Sequence, residues 1–108
     1  MSGRHPRRKL NDIIHSPVRL SVMAVLAAIT EADFKYVREI VQVSDSLLSK
    51  HLAVLQAAEY LRIRKGVVQN RPITWLSLTE TGTAAYRDYL GTLDQIIGRG
   101  KEGHTDAD

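Results

Sequence analysis

The stretch Val43-Ser44-Asp45-Ser46-Leu47-Leu48-Ser49-Lys50-His51-Leu52-Ala53-Val54-Leu55 decides the fold. Ser44 is placed to cap a helix, and Asp45 sits where the positive end of the helix dipole favours a carboxylate. Leu48, Leu52 and Leu55 recur at i, i+4 and i+7, so they share one face and point into a core. The opposite face then follows from geometry: Ser46, Ser49, Lys50 and Ala53 point outward. That face is small and polar with one cation near its start. An ordinary solvated helix carries long Glu and Lys side chains there, whereas small hydroxyls permit close approach to another surface.

Toward the N-terminus, only Gln42-Val43-Ser44 separate this helix from an earlier one. Asp33 can cap that earlier helix, in which Phe34, Val37, Ile40 and Val41 repeat at the 3–4 spacing. Ser16-Pro17 is a third start signal, a hydroxyl cap followed by proline at the first helical position. The helix it opens runs through Leu20, Val22, Met23, Leu26 and Ile29, and Leu10, Ile13 and Ile14 predict a shorter helical turn before it. Toward the C-terminus the period changes from 3.6 to 2 after Tyr60. Leu61 and Ile63 alternate with Arg62 and Arg64, and Thr74, Leu76 and Leu78 alternate with Ile73, Trp75 and Ser77. The segment Lys65–Pro72 between them reads as a hairpin loop, with Gly66 and Asn70 for tight turning. Thr79 caps a last helix with Glu80 in its first turn and an apolar stripe of Tyr86, Tyr89, Leu90, Leu93, Ile96 and Ile97.

A chain of 108 residues holds one domain with a modest core. It has no cysteine, so disulfides, thiolate nucleophiles and thiolate metal sites are absent together, which fits a reducing cytoplasm. The longest apolar run, Val22 to Ile29, is far short of the ~20 residues a membrane helix needs, so no membrane contact is expected. Net charge is +3, and its distribution is uneven. Arg4, Arg7, Arg8 and Lys9 stand together without an acid, as do Arg62, Arg64, Lys65 and Arg71. The remainder is slightly acidic. Two basic projections on an acidic body suit a protein that meets phosphates at defined places, although either run alone reads equally as solvated charge. Residues 1–9 are expected to be a flexible basic arm, 10–97 the folded domain with its last helix at about 80–97, and 98–108 a flexible tail.

Three helices, the second and third joined by a three-residue turn and followed by a basic hairpin, give the order of a winged helix-turn-helix. The expected class is mainly α with a small β-hairpin (α+β): a three-helix core, a wing and a long C-terminal dimerisation helix. A helix fits the major groove of B-DNA with its N-terminal residues at the base edges. Ser44, Asp45, Ser46, Ser49, Lys50 and His51 are the candidates on that helix. Ser46 and Ser49 can donate to or accept from bases, and Lys50 can contact guanine or phosphate. Asp45 either accepts from cytosine or is simply a helix-start charge, and His51 either flanks phosphates or packs beside the core. On the wing the candidates are Arg64, Lys65, Gln69, Asn70 and Arg71, lying along the backbone or in the adjacent minor groove.

Three stretches resemble the winged-helix transcriptional regulators of the MarR and ArsR kind, especially the short single-domain ones: His15-Ser16-Pro17-Val18-Arg19-Leu20, Val43 through Leu55, and Leu78-Thr79-Glu80-Thr81-Gly82. The resemblance runs from about residue 10 to 97. It implies that Ser46, Ser49 and Lys50 face the groove, that Arg64 to Arg71 form the wing, and that the last helix joins a dimer interface. One position departs from the family pattern: Glu59 stands where glycine usually serves as a left-handed cap, a shape that costs other residues ~1–2 kcal/mol.

Separate physics points to a dimer. Tyr86, Tyr89, Leu90, Leu93, Ile96 and Ile97, with Leu10, Ile13 and Ile14, exceed what one small core covers, and exposed together they form a patch a monomer rarely tolerates. Pairing across a two-fold axis buries them and matches two half-sites of double-stranded DNA; the alternative is that both segments fold back on their own domain. Trp75 and the tyrosines line a pocket for an unidentified small-molecule effector at that interface, or are plain core.

Other signals are weaker. Gly98-Arg99-Gly100-Lys101-Glu102-Gly103 matches G-x-G-x-x-G as text, but it follows a helix and opens none. His5, His15, His51 and His104 lack metal-ligand spacing, so no metal or cofactor is expected. Ser46 precedes Lys50 by four residues, not the three of an acylation motif, and no nucleophile–base pair suggests an enzyme. The expected function is therefore sequence-specific DNA binding as a homodimeric repressor; the alternative is a winged helix used for protein contacts, which leaves the charge of the wing without a role.

Overall fold

The computed structural model describes residues 5–105, and the side chains among them except at 8–9 and 99–105. A 3-10 turn (Pro6–Lys9) leads into α1 (Pro17–Ala28), β1 (Ala32–Asp33), α2 (Phe34–Val41), α3 (Asp45–Ala57), β2 (Leu61–Val68), β3 (Arg71–Leu78) and α4 (Glu80–Thr105). Each helix begins where a side-chain oxygen satisfies a free backbone donor. Ser16 Oγ accepts from Arg19 N–H, Asp33 Oδ1 from Tyr36 N–H, Ser44 Oγ from Leu47 N–H and Thr79 Oγ1 from Gly82 N–H. All four caps are the ones read from the sequence.

Leu48, Leu52 and Leu55 of α3 are buried with Val22, Met23 and Leu26 of α1, Val37 of α2, and Leu61 and Leu76 of the hairpin. The sheet is antiparallel in the order β1-β3-β2. Ile63 pairs with Leu76 and Leu61 with Leu78, so the alternation puts these four on the face toward the helices. Strand β1 pairs Ala32 with Leu76 and Asp33 with Trp75. With two residues it is too short to show a period of 2, and the hairpin was expected to stand alone.

Four expectations need correction. First, Lys65–Pro72 is not a loop. Pairing continues through Lys65–Thr74 and Gly66–Ile73 to Val68–Arg71, leaving only Gln69 and Asn70 between the strands, with φ of 51° and 64°. Two successive left-handed residues make a type I′ connection, whose twist matches that of the strands. Gly66 is thus a strand residue, and Asn70 is the turn former.

Second, the arm does not run to residue 9. Pro6 is buried, the 3-10 turn packs against α4, and His5 Nδ1 accepts from Arg7 N–H; residues 1–4 lie outside the described residues. Third, α4 carries through Gly98, Gly100 and Gly103 to Thr105, where a tail was expected. Glycine weakens a helix by about 1 kcal/mol per residue relative to alanine but does not forbid it. Residues 106–108 lie outside the described residues.

Fourth, Ile14 and Tyr89 are 0% and 3% exposed, so their surface is spent in the core of their own chain and is withdrawn from the dimer face. Hydrogen bonds hold this arrangement. His15 Nδ1 and the Tyr89 hydroxyl lie 2.7 Å apart, and Asn11 Nδ2 donates to the Tyr60 hydroxyl at 2.7 Å. Leu10, Ile13, Tyr86 and Leu93 are half-buried against the same core, while Leu90 and Ile97 are exposed.

Candidate nucleic-acid interface

Helix α3 is anchored by Leu48, Leu52 and Leu55 and turned outward by its polar face. Ser44, Asp45, Ser46, Ser49 and Lys50 are all exposed, whereas His51 is half-buried. The turn before the helix is shaped by Gln42, which adopts the left-handed conformation (φ 61°) and closes α2 by donating its N–H to Arg38 O. Arg38 Nη1 then donates to Asp45 Oδ1 at 2.8 Å, an ion pair bridging α2 and α3 across the turn. This favours the helix-start reading of Asp45, since its carboxylate already has a cation.

His51 is held from the side of α1. Arg19 Nη1 donates to His51 Nδ1 at 3.0 Å, which places the imidazole proton on Nε2. The same guanidinium donates to the carbonyls of Ile13 and, at 3.4 Å, Asp12, tying the recognition helix to the turn before α1. Burial and the Arg19 charge both lower the His51 pKa, burial more. The Arg19 contact favours the packing reading of His51 over a phosphate contact. Arg19 entered the sequence reading only within the stretch from His15 to Leu20 that resembles the family; no local signal pointed to its contact with His51.

The wing candidates divide in two. Arg64 is engaged within the protein: Nη2 and Nε donate to Glu31 Oε1 and Oε2 at 3.0 and 3.3 Å, and the guanidinium carbon lies 5.7 Å from the Trp75 ring centroid. Trp75 is thus a platform on the outer face of the sheet. Lys65, on the other face, lines an open cleft of about 630 Å³ with Asp45, Ser49, Ala53 and Gln56 of α3. Gln69 and Arg71 line a second cleft with Phe34 and Lys35 at the start of α2. Lys35 thus joins the wing cations, a partnership across 36 positions that no local pattern announces. A third cleft, between the end of α1 and α4, is lined by residues including Leu26, Tyr86 and Leu90; Trp75 has no part in it.

The junction between α3 and the wing settles the question posed by Glu59. It has φ 66°, the left-handed shape that glycine usually takes. Glu59 N–H donates to Gln56 O at 2.9 Å and Tyr60 N–H to Leu55 O at 3.0 Å, the two bonds of a Schellman cap. Thr79 Oγ1 donates to Glu59 O at 2.6 Å, so the start of α4 clamps the strained residue in place. The cap forms in spite of the substitution.

A helix-turn-helix with an exposed polar recognition face, flanked by a hairpin whose Lys65 and Arg71 have no ion-pair partner among the described residues, defines a winged-helix DNA-binding module. Residues 18–97 match the winged helix DNA-binding domain family, and the chain belongs to it. A protein of uncharacterised function from Methanocaldococcus jannaschii is 27% identical over 84 residues, covering 78% of this chain and 91% of its own length. A transcriptional regulator homologue from Pyrococcus horikoshii OT3 superposes with a TM-score of 0.81 at 24% identity, covering 88% of this chain and 96% of its own. A MarR-family transcriptional regulator from Silicibacter pomeroyi has a TM-score of 0.63 at 23% identity, covering 92% of this chain and 66% of its own. The family gives the class of function as DNA binding, and the fold is the one these MarR-like structures share. No described helix is long and apolar enough to cross a membrane.

Proposed function

We propose that the protein binds specific double-stranded DNA sites as a homodimer and represses the promoters that contain them. The observation that carries this reading is the state of α3. Leu48, Leu52 and Leu55 are buried while Ser44, Ser46, Ser49 and Lys50 at its N-terminal end are exposed, the arrangement major-groove readout requires. Ser46 and Ser49 meet base edges, and Lys50 takes guanine or phosphate. Lys65 and Arg71, with Gln69 and Asn70 at the hairpin turn, grip the flanking backbone.

Pairing through α4 is supported by Leu90 and Ile97, 40% and 52% exposed and two turns apart on one face. Half-buried Tyr86, Leu93 and Ile96 extend that face, and Leu10 and Ile13 add less. A two-fold dimer presents two recognition helices to half-sites about one DNA turn apart. Occupying a promoter in this way excludes the polymerase, so repression is the direct consequence. A small-molecule effector would enter the cleft beside Tyr86 and Leu90, at the edge of the pairing face.

Selection of fragmented genomic DNA on the purified protein, followed by sequencing, tests the DNA half of this reading. Enrichment of a few two-fold-repeated sites is expected; a flat profile overturns sequence-specific binding. Sedimentation of wild type beside a Leu90→Glu, Ile97→Glu double variant tests the other half: a dimer becoming a folded monomer is expected, and a monomeric wild type sinks the pairing.

A further inference from the structure

The outward face of α3 is less polar than its serines suggest. Leu47 and Val54 are each 40% exposed, and neither packs against the core that takes Leu48, Leu52 and Leu55. Seven residues apart, they lie on one flank about 10 Å from each other along the axis. Lys50 follows Leu47 by three and precedes Val54 by four, so it stands between them and also belongs to the Ser46–Lys50–Ala53 stripe. The apolar flank is therefore continuous with the proposed DNA-reading face. Leu47 is in the first turn of the helix, the part that reaches deepest toward base edges.

The major groove offers one apolar feature, the C5 methyl of thymine, beside the donors and acceptors of the other bases. We propose that Leu47 is a specificity-determining residue that selects thymine by covering this methyl, with Val54 shielding the same side of the groove two turns on. The inference rests on the reading that α3 enters the major groove. Cytosine at that position would leave Leu47 against a polar amine and without a methyl to desolvate. The site then consists of a base or phosphate read by Lys50 with a thymine beside it in each half.

The test uses the full chain and duplexes selected from a random library. Each thymine of the preferred duplex is replaced singly by deoxyuridine, which keeps the pairing and removes only the methyl. Wild type is expected to lose about fourfold in affinity at one thymine per half-site, the worth of one buried methyl. Leu47→Ala should be indifferent to that replacement, and selection with it should relax the base preference there. Leu47 is exposed, so the variant should unfold at the wild-type temperature, and Val54→Ala serves as a second probe in case it does not. Uniform indifference of wild type to deoxyuridine, or the same loss in wild type and Leu47→Ala, overturns the inference while leaving DNA binding intact. Failure to enrich any duplex overturns the DNA-binding reading and this inference with it.

Discussion

The backbone of Gly82 lies against the carbonyl of Tyr60 so closely that a β-carbon at position 82 would stand 2.1 Å from Tyr60 O. Thr79 reinforces the contact, its N–H donating to Tyr60 O at 3.0 Å while its hydroxyl takes Gly82 N–H and gives to Glu59 O. The first turn of α4 and the entry to the wing are thus one unit. The clash is with backbone, which cannot swing aside like a side-chain tip. Gly82→Ala should cost about 1–3 kcal/mol, as overpacking does, despite alanine being the better helix former. Urea denaturation checks it; a wild-type midpoint would show that α4 can shift freely.

Glu59 is strained, and relieving it should stabilise the protein. Glu59→Gly removes a left-handed penalty of ~1–2 kcal/mol, offset in part by the ~0.4–1 kcal/mol that glycine adds to unfolded-chain freedom. A net gain between zero and ~1.6 kcal/mol is expected, since the carbonyl that receives the Thr79 hydroxyl is backbone and remains. A lower melting temperature for this variant would mean that the Glu59 side chain does something the backbone argument ignores.

His51 should make stability pH-dependent. Its folded pKa is lowered by burial and by Arg19, so on acidification the unfolded chain takes up a proton first, near its ordinary value of about 6.5. Stability is therefore full above that value and is lost as pH falls through the lower folded pKa. The imidazolium could no longer accept from Arg19. Melting curves from neutral to mildly acidic pH should converge for wild type and His51→Gln as pH drops, because glutamine can accept without titrating. Parallel curves would assign the acid sensitivity elsewhere.

The wing cations should differ in their salt signature. Lys65→Ala and Arg71→Ala are each expected to flatten the slope of log K against log salt by about 0.9 for every phosphate left without its cation. Arg64→Ala should change the slope less, because its guanidinium already faces the Glu31 carboxylate. Glu31→Gln should steepen the slope by releasing Arg64. Binding isotherms at several salt concentrations decide the matter, and a greater flattening by Arg64→Ala than by the other two would refute this division.

Much of the fold was legible in the sequence because it is decided by short-range physics. Ser16, Asp33, Ser44 and Thr79 cap their helices through bonds to residues three positions on, and Leu48, Leu52 and Leu55 share a face through the pitch of the helix alone. The same locality explains what was read wrongly. Gln69 and Asn70 close the hairpin although Gly66 was the more conspicuous turn former, because cross-strand pairing extended both strands past it. The small polar face of α3 was foreseen, but the exposure of Leu47 and Val54 was not, since a period assigns a face without saying what covers its edges.

By itself, then, the sequence determined the order of the four helices and the hairpin, the caps, the core stripe of α3 and the basic charge of the wing, all consequences of bonding within a few residues. Only tertiary structure decided which charges are spoken for and which apolar groups are spent. Arg64 finds Glu31 33 positions away, Arg19 finds His51 32 away, and His15 finds Tyr89 74 away. Chain packing selects such pairs after the elements exist, and it buried Ile14 and Tyr89 at home while leaving Leu90 and Ile97 outside. Spacing along a chain shows which side chains share a face; it does not show which distant surface meets that face.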